Sequence, residues 1–384
     1  MNATRVLAVA AKEWREIVRD RLFFALAFVV PAVLMLLFGV GLSLDVENIP
    51  LAVVDHDHTP LSRDYAHRFT DSRYFEFKGY VDDERTLAKR ITANELRAVL
   101  IIREGFSRDL LAGRPAEVQT LIDGTFPFRA QTAKAYVAAI NAAFNVESLT
   151  LLLSQRLGLS SEQARARLPP LRLEVRFLYN QNVKSIWSIA PKLLMVIMMI
   201  SPPFLTALGI VREKESGSIF NIYASTVRRS EFLVGKLLPY VAISALNVGV
   251  LWALACGLFG APFKGDPLFF ALASLLYVGC TTGIGLLVSV AVRTQVAAMI
   301  GTAILTVVPA VLYSGVLIPV SSLSSFASGI AHLLPGMYYA DIAMGSFLKG
   351  VGWSALWPDV LALAVYAVLL FGAGFALFHK RVSS

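Results

Sequence analysis

Six apolar runs divide the chain, at residues 22–44, 185–211, 237–259, 268–292, 297–318 and 353–378. Each reaches the roughly 20 residues that a helix needs to cross a hydrocarbon core. The pattern predicts a polytopic α-helical membrane protein with six transmembrane helices. The first run is too long for the apolar region of a signal peptide, lies behind about twenty residues of charged helix and lacks a small-residue cleavage site. Residues 1–21 have Leu7, Ala10, Trp14 and Ile17 at helical spacing, with Lys12, Arg15, Glu16 and Arg19 elsewhere around the wheel. That reads as an amphipathic helix lying in the membrane interface, with lipid as its partner, or as an ordinary cap to the first span.

Residues 45–184 follow another rhythm. Strand-like runs at 51–55, 74–81, 97–103, 117–123 and 171–179 alternate with helix-like runs at 61–69, 106–111 and 128–156, and Asp82 and Asp83 are placed to cap a further helix. This predicts a mixed α/β domain inserted between helices 1 and 2, large enough to bury its own core.

Charge then orients the chain. Of its 384 residues 56% are hydrophobic and 16% charged, against about 25% charged in soluble domains. Arg5, Lys12, Arg15, Arg19 and Arg21 precede the first span, and Arg212, Lys214, Arg228, Arg229 and Lys236 lie between the second and third. Arg293 follows the fourth span, and Lys380 and Arg381 the sixth, whereas Lys264 and Lys349 are offset by Asp266 and Asp341. The excess of cations on one set of loops predicts cytoplasmic termini (1–21 and 379–384), a cytoplasmic loop at 212–236, and a periplasmic position for 45–184 and 319–352. The net charge of +8 is concentrated at these membrane edges, so nucleic acid is not indicated. Cys256 and Cys280 both lie in apolar runs and read as small hydrophobes.

Candidate chemistry is sparse. In "DHDH" (55–58), His56 and His58 are spaced to share a strand face and ligate a metal, but the same residues read as a turn closing the first strand before Thr59-Pro60. The turn is favoured, and no metal site is expected. Gly235-Lys236 ends like a phosphate-binding loop, yet Ser230 stands where its first Gly would be and Leu237 replaces the hydroxyl that reaches magnesium. No nucleophile or metalloprotease motif appears, so no catalytic residue is assigned. The spans lack the charges of a proton relay, which disfavours an ion-coupled carrier.

The 211–240 stretch resembles the signature of ABC transporter type-2 permeases, close to R-E-[KR]-E-x-G-[TS], a short helix, T-P, and G-K-x-x-P-Y. Here it reads Arg212-Glu213-Lys214-Glu215-Ser216-Gly217-Ser218, then Ser225-Thr226-Val227, then Gly235-Lys236-Leu237-Leu238-Pro239-Tyr240. Thr226 departs from the proline usual there. Residues 313–350 are similar to the family's last outer segment, two short half-helices dipping into the membrane. Residues 49–77 resemble the start of the large periplasmic domain of the bacterial multidrug-export-like subfamily.

The resemblance implies a permease subunit of an ATP-driven exporter in a bacterial inner membrane, moving hydrophobic or amphipathic compounds outward. It implies no cofactor on this chain, with ATP and magnesium on a separate ABC ATP-binding subunit. It implies a second permease, identical or sister, and for this subfamily a periplasmic membrane-fusion adaptor and an outer-membrane channel. Coupling to the ATPase would fall to residues 213–224. Gly217 would permit a turn, Arg212, Glu213, Lys214 and Glu215 would pair with charges on the partner, and Phe220 and Tyr223 would anchor it. In the second span Pro202-Pro203 should bend the helix, as hinge or static kink. Lys192 can snorkel outward or line a path, and Met195, Met198 and Met199 make either a cargo-facing wall or plain packing. Gly279 and Gly283, in GxxxG spacing, support close helix packing in the fourth span. A mechanotransmission scaffold, relaying ATPase motion to periplasmic proteins without conducting cargo, is the alternative. A membrane-bound periplasmic sensor would engage no ATPase at all.

Overall fold

The computed structural model describes residues 2–41, 46–81, 84–166, 178–180, 184–218, 227–316 and 318–378. Two compact units emerge, one of residues 45–176 and one of 1–44 with 177–384.

The 45–176 unit is built on β1 (Ile49–Asp55), β2 (Phe75–Tyr80), β3 (Ala98–Ile102) and β4 (Val118–Ile122), in the order β2-β1-β3-β4. β1 pairs in parallel with β2 and β3, with Leu51 beside Ala98 and Asp55 beside Ile102; β3 and β4 are antiparallel, with Val99 beside Leu121. Numbering all helices in chain order, with α1 (Ala3–Arg19) and α2 (Arg21–Gly41) ahead of the sheet, α3 (Pro60–Thr70) links β1 to β2 and α4 (Glu84–Thr92) links β2 to β3. The two crossovers run in opposite directions along the sheet, from β1 out to β2 and from β2 back past β1 to β3. Right-handed connections therefore place their helices on opposite faces. Leu51 and Val53 accordingly pack with Tyr65, Ala66 and Phe69 of α3, while Ala52 and Val54 pack with Leu87 of α4. Burial on both sides explains why β1 reads as an unbroken apolar run.

α5 (Phe106–Leu111) and α6 (Pro127–Leu157) join the α3 face, where Phe144 meets Tyr65 edge-on at 4.8 Å and Tyr136 stacks on Tyr74 at 3.9 Å. α7 (Ser161–Ala166) follows. The "DHDH" residues form a turn. Asp55 accepts the backbone N–H groups of Asp57 and His58 (3.0 and 3.1 Å) and the Ser62 hydroxyl (2.7 Å), Thr59 caps α3, and both histidines are exposed. Asp82, Asp83 and most of the expected strand at 171–179 lie outside the described residues; 178–180 are not strand.

In the other unit follow α8 (Ser185–Glu215), α9 (Arg229–Leu258), α10 (Pro267–Ala291), α11 (Gln295–Tyr313), α12 (Ser325–His332), α13 (Pro335–Met344) and α14 (Trp353–Leu377). Seven described helices are long and apolar enough to cross a membrane: α2, α6, α8, α9, α10, α11 and α14. The sequence pattern counts six. The extra one, α6, is the least apolar of the seven and turns Ala133, Val137 and Phe144 into the sheet unit's core.

α8 is the central helix of this unit, with 89% of its apolar stretch buried against neighbours. It stays helical through Pro202-Pro203. Close approach to α10 requires Gly285, where a Cβ would lie 2.5 Å from the Pro203 carbonyl oxygen and 2.9 Å from Thr206 Cβ. On α10's other side, a Cβ at Gly283 would lie 2.9 Å from Leu370 Cβ of α14. The GxxxG face is thus used inside the chain. α13 wedges between α8, α10 and α14: Tyr339 stacks on Tyr277 at 4.1 Å, and the Tyr277 hydroxyl donates to the Met195 carbonyl at 3.0 Å. α12 is held at its C-terminus by Tyr338 and Tyr366, whose hydroxyls both donate to the His332 carbonyl (3.0 and 2.7 Å).

Candidate functional site

The R-E-K-E run ends α8. Successive helical residues point about 100° apart, so four consecutive charges address four directions. Arg212 reaches α1 and the residue after it, donating to Asp20 Oδ2 (2.7 Å) and Glu16 Oε2 (3.4 Å), with its guanidinium 4.3 Å from the Phe23 ring centre. Glu213 receives Lys12 Nζ at 2.8 Å and lies 3.1 Å from Lys236 Nζ of α9. Lys214 donates to the Ser289 carbonyl near the end of α10. Glu215 accepts from the backbone N–H and side-chain amide of Gln295 on α11, at 3.0 and 2.9 Å. Gly217 closes the helix with φ +74°, the left-handed residue that a helix C-terminus favours.

The G-K-x-x-P-Y run lies in the second to fourth turns of α9. A Cβ at Gly235 would lie 2.7 Å from the Val6 carbonyl oxygen, so α1 crosses against bare backbone there. Lys236 and Tyr240, four residues apart, share a face. Lys236 Nζ is 2.8 Å from Glu13 Oε2, and the Tyr240 hydroxyl donates to the other oxygen of Glu13. Lys236 is 0% and Glu13 2% exposed. Gly209 of α8 makes room for the Tyr240 hydroxyl, which a Cβ would meet at 1.7 Å. Pro239 is buried inside α9. Upstream, Glu231 accepts from the backbone N–H groups of Arg228 (2.9 Å) and Asn2 (2.7 Å).

These contacts converge on Glu13, Glu213, Lys236 and Tyr240, joining α1, α8 and α9. One oxygen each from Glu13, Glu16 and Glu213 lies within 4.8 Å of the others, close enough in principle to share a metal ion. Their charge is instead answered by Lys12, Lys236 and Arg212. Burial alone would lower the Lys12 ammonium; the hydrogen bond and charge of Glu213, with the charges of Glu16 and Glu13, outweigh it and hold Lys12 above its ordinary value.

Each of Arg212, Glu213, Lys214 and Glu215 therefore has a partner within this chain. Phe220 and Tyr223 lie outside the described residues. Met195, Met198, Met199, Pro202 and Pro203 are buried against this chain's own helices, and Lys192 Nζ reaches the Val316 carbonyl at 3.5 Å. The contribution of α1 is not visible in its apolar spacing alone. Its buried stripe is Val6, Ala10, Glu13 and Ile17, whereas Leu7 and Trp14, grouped with Ala10 and Ile17 from their spacing, are 62% and 43% exposed. The available signal was a carboxylate, Glu13, in 4-3-4 register with apolar residues.

Residues 21–376 match the family described as ABC-2 family transporter protein. The chain is 26% identical over 379 residues to the probable multidrug ABC transporter permease YbhS of Escherichia coli (strain K12), covering 98% of this chain and 97% of that protein. It is 25% identical over 380 residues to the probable multidrug ABC transporter permease YbhR of the same organism, covering 98% and 99%. It is 22% identical over 388 residues to the linearmycin resistance permease protein LnrN of Bacillus subtilis (strain 168), covering 96% and 98%. With the family match running over nearly its whole length, this chain belongs to the ABC-2 family of transporter proteins.

Proposed function

We propose that the chain is the membrane-spanning permease subunit of an ATP-driven exporter, and that it receives the motion of a separate ATP-binding subunit through residues 212–236. The observation that carries the reading is the contact between α1 and the end of α8, above all Lys12 with Glu213 at 2.8 Å. α1 precedes the first span, so an even number of crossings must separate it from the end of α8. α2 and α8 supply two; a crossing by α6 would make three. Counting α6 with the sheet unit gives six spans, with 45–184 inserted between the first two. It also puts 1–21 and 212–236 on one side, where their Arg and Lys residues indicate the cytoplasm. ATP and magnesium belong on the ATP-binding subunit. Two permeases, identical or sister, complete the exporter in a bacterial inner membrane, and the outer unit faces an adaptor and an outer-membrane channel.

The names of the relatives, two multidrug permeases and one linearmycin resistance permease, support a hydrophobic or amphipathic cargo. The scaffold reading draws on one observation, that the methionines of α8 are enclosed within their own chain rather than lining an open path. The test is co-purification with a candidate ABC ATP-binding subunit from the same organism, followed by ATPase and dye-efflux assays in inverted vesicles. ATP-dependent dye movement supports export. Stimulated hydrolysis with none of a panel of amphipathic dyes moved favours the scaffold, and failure to recruit an ATP-binding subunit refutes both.

A further inference from the structure

α1 has two apolar sides. One carries Val6, Ala10 and Ile17 into the protein; the other leaves Leu7, Trp14 and Val18 exposed. A helix that only rested on a membrane would not need a buried carboxylate, yet Glu13 lies on the protein side and is almost fully enclosed. Its two oxygens are taken by Lys236 and Tyr240 of α9, and Lys236 continues to Glu213 of α8. Around this centre α1 grips both borders of the 212–236 segment. Lys12 and Glu16, with Asp20 just beyond the helix, hold Glu213 and Arg212 at its start. The Asn2 backbone holds Glu231, and Val6 lies against Gly235, near its end.

We infer that α1 is a clamp, with Glu13, Lys236 and Glu213 as its positioning residues, that fixes the two flanks of the 212–236 loop to each other so that α1 and the adjoining ends of α8 and α9 move as one body. The inference rests on the coupling role proposed for that loop. The loop's two ends belong to different helices. Without a tie, a push on the loop could be absorbed by spreading α8 from α9. A cluster of paired ions buried between three helices resists that spreading, because separating them would leave ions unpaired out of water. The clamp thus passes displacement into both helices together.

Distance measurement by electron–electron resonance on the chain reconstituted with its ATP-binding subunit tests this. Cys256 and Cys280 are first replaced by alanine, and nitroxides are placed at exposed Leu7→Cys on α1 and Leu238→Cys on α9. The expected result is one distance distribution, unchanged between nucleotide-free and vanadate-trapped complexes. In Glu13→Gln/Lys236→Met, which leaves the Lys12–Glu213 pair in place, trapping should shift or broaden that distribution and lower dye efflux per ATP hydrolysed at least several-fold. Lys236→Arg should preserve the parent behaviour. A shift in the parent on trapping, or a double variant as tight and as well coupled as the parent, overturns the clamp while leaving the coupling role of the loop intact. If the unmodified chain recruits no ATP-binding subunit, the coupling role fails and the clamp falls with it.

Discussion

Lys236→Met should be among the most destabilising single substitutions in the membrane unit, and neutralising its partner should recover much of the loss. Lys236 Nζ lies 2.8 Å from Glu13 and 3.1 Å from Glu213, with no exposed surface. At an effective dielectric constant of about 20, a unit charge pair at that separation attracts by roughly 6 kcal/mol. Desolvation costs several kcal/mol per ion and offsets most of this in the intact protein. Removing Lys236 keeps the desolvation of two carboxylates and discards their shared cation, leaving only Lys12. Breaking a buried pair in this way typically costs about 3–5 kcal/mol. Adding Glu13→Gln removes one unpaired charge while its amide oxygen can still accept from Tyr240. The coupling between the two substitutions should therefore reach about 2–3 kcal/mol, the upper end for contacting residues. Reversible unfolding of the four proteins of the cycle in mixed micelles measures it. If Lys236→Met loses less than about 1 kcal/mol, or the two losses simply add, the buried ion pair does not hold α1 to α9 and the account of this site is wrong.

Three further outcomes follow from the geometry. Gly285→Ala should destabilise by about 1–3 kcal/mol, because its Cβ would meet the backbone of Pro203, whereas Gly249→Ala, with nothing within 4 Å, should be neutral or slightly stabilising; thermal unfolding in detergent separates them. Asp123 is held at about 2 by the hydroxyl and backbone N–H of Thr125 and then by Arg97. A depressed carboxylate contributes stability above its ordinary value, about 3.9, and loses it as pH falls toward the folded value. Unfolding followed by circular dichroism should therefore show an acid-labile component between about pH 4 and 2 that is reduced in Asp123→Asn. Glu215→Ala removes both hydrogen bonds from Gln295, and Gly217→Ala strains a left-handed residue by about 1 kcal/mol; each should lower dye efflux per ATP hydrolysed in vesicles. Efflux per ATP equal to the parent's in both would remove the end of α8 from the coupling path.

The apolar runs were legible because crossing a bilayer is a requirement on local composition, met or failed within about 20 residues. The sheet unit was legible for a related reason: unbroken apolarity in β1 and β3 reports that both of their faces are covered. What sequence could not supply was the identity of the neighbour. Gly279 and Gly283 announce a close approach, and α14 of the same chain makes one. α6 satisfies length and apolarity as a span does; its place among strand-like runs assigns it to the sheet unit, and the structure shows what its buried stripe meets there. In α1 the spacing finds the apolar sector but not its neighbours: Ala10 and Ile17 meet protein while Leu7 and Trp14 beside them are left open, and a buried carboxylate, Glu13, counts against the face that buries it. The 212–215 run is the same problem in charge. Along the sequence it looks like four ions offered to a partner, but at 100° per residue they separate toward α1, α9, α10 and α11. Sequence locates these charges; packing determines which are answered, and those flanking the 212–236 segment are answered in large part by the chain's own first helix.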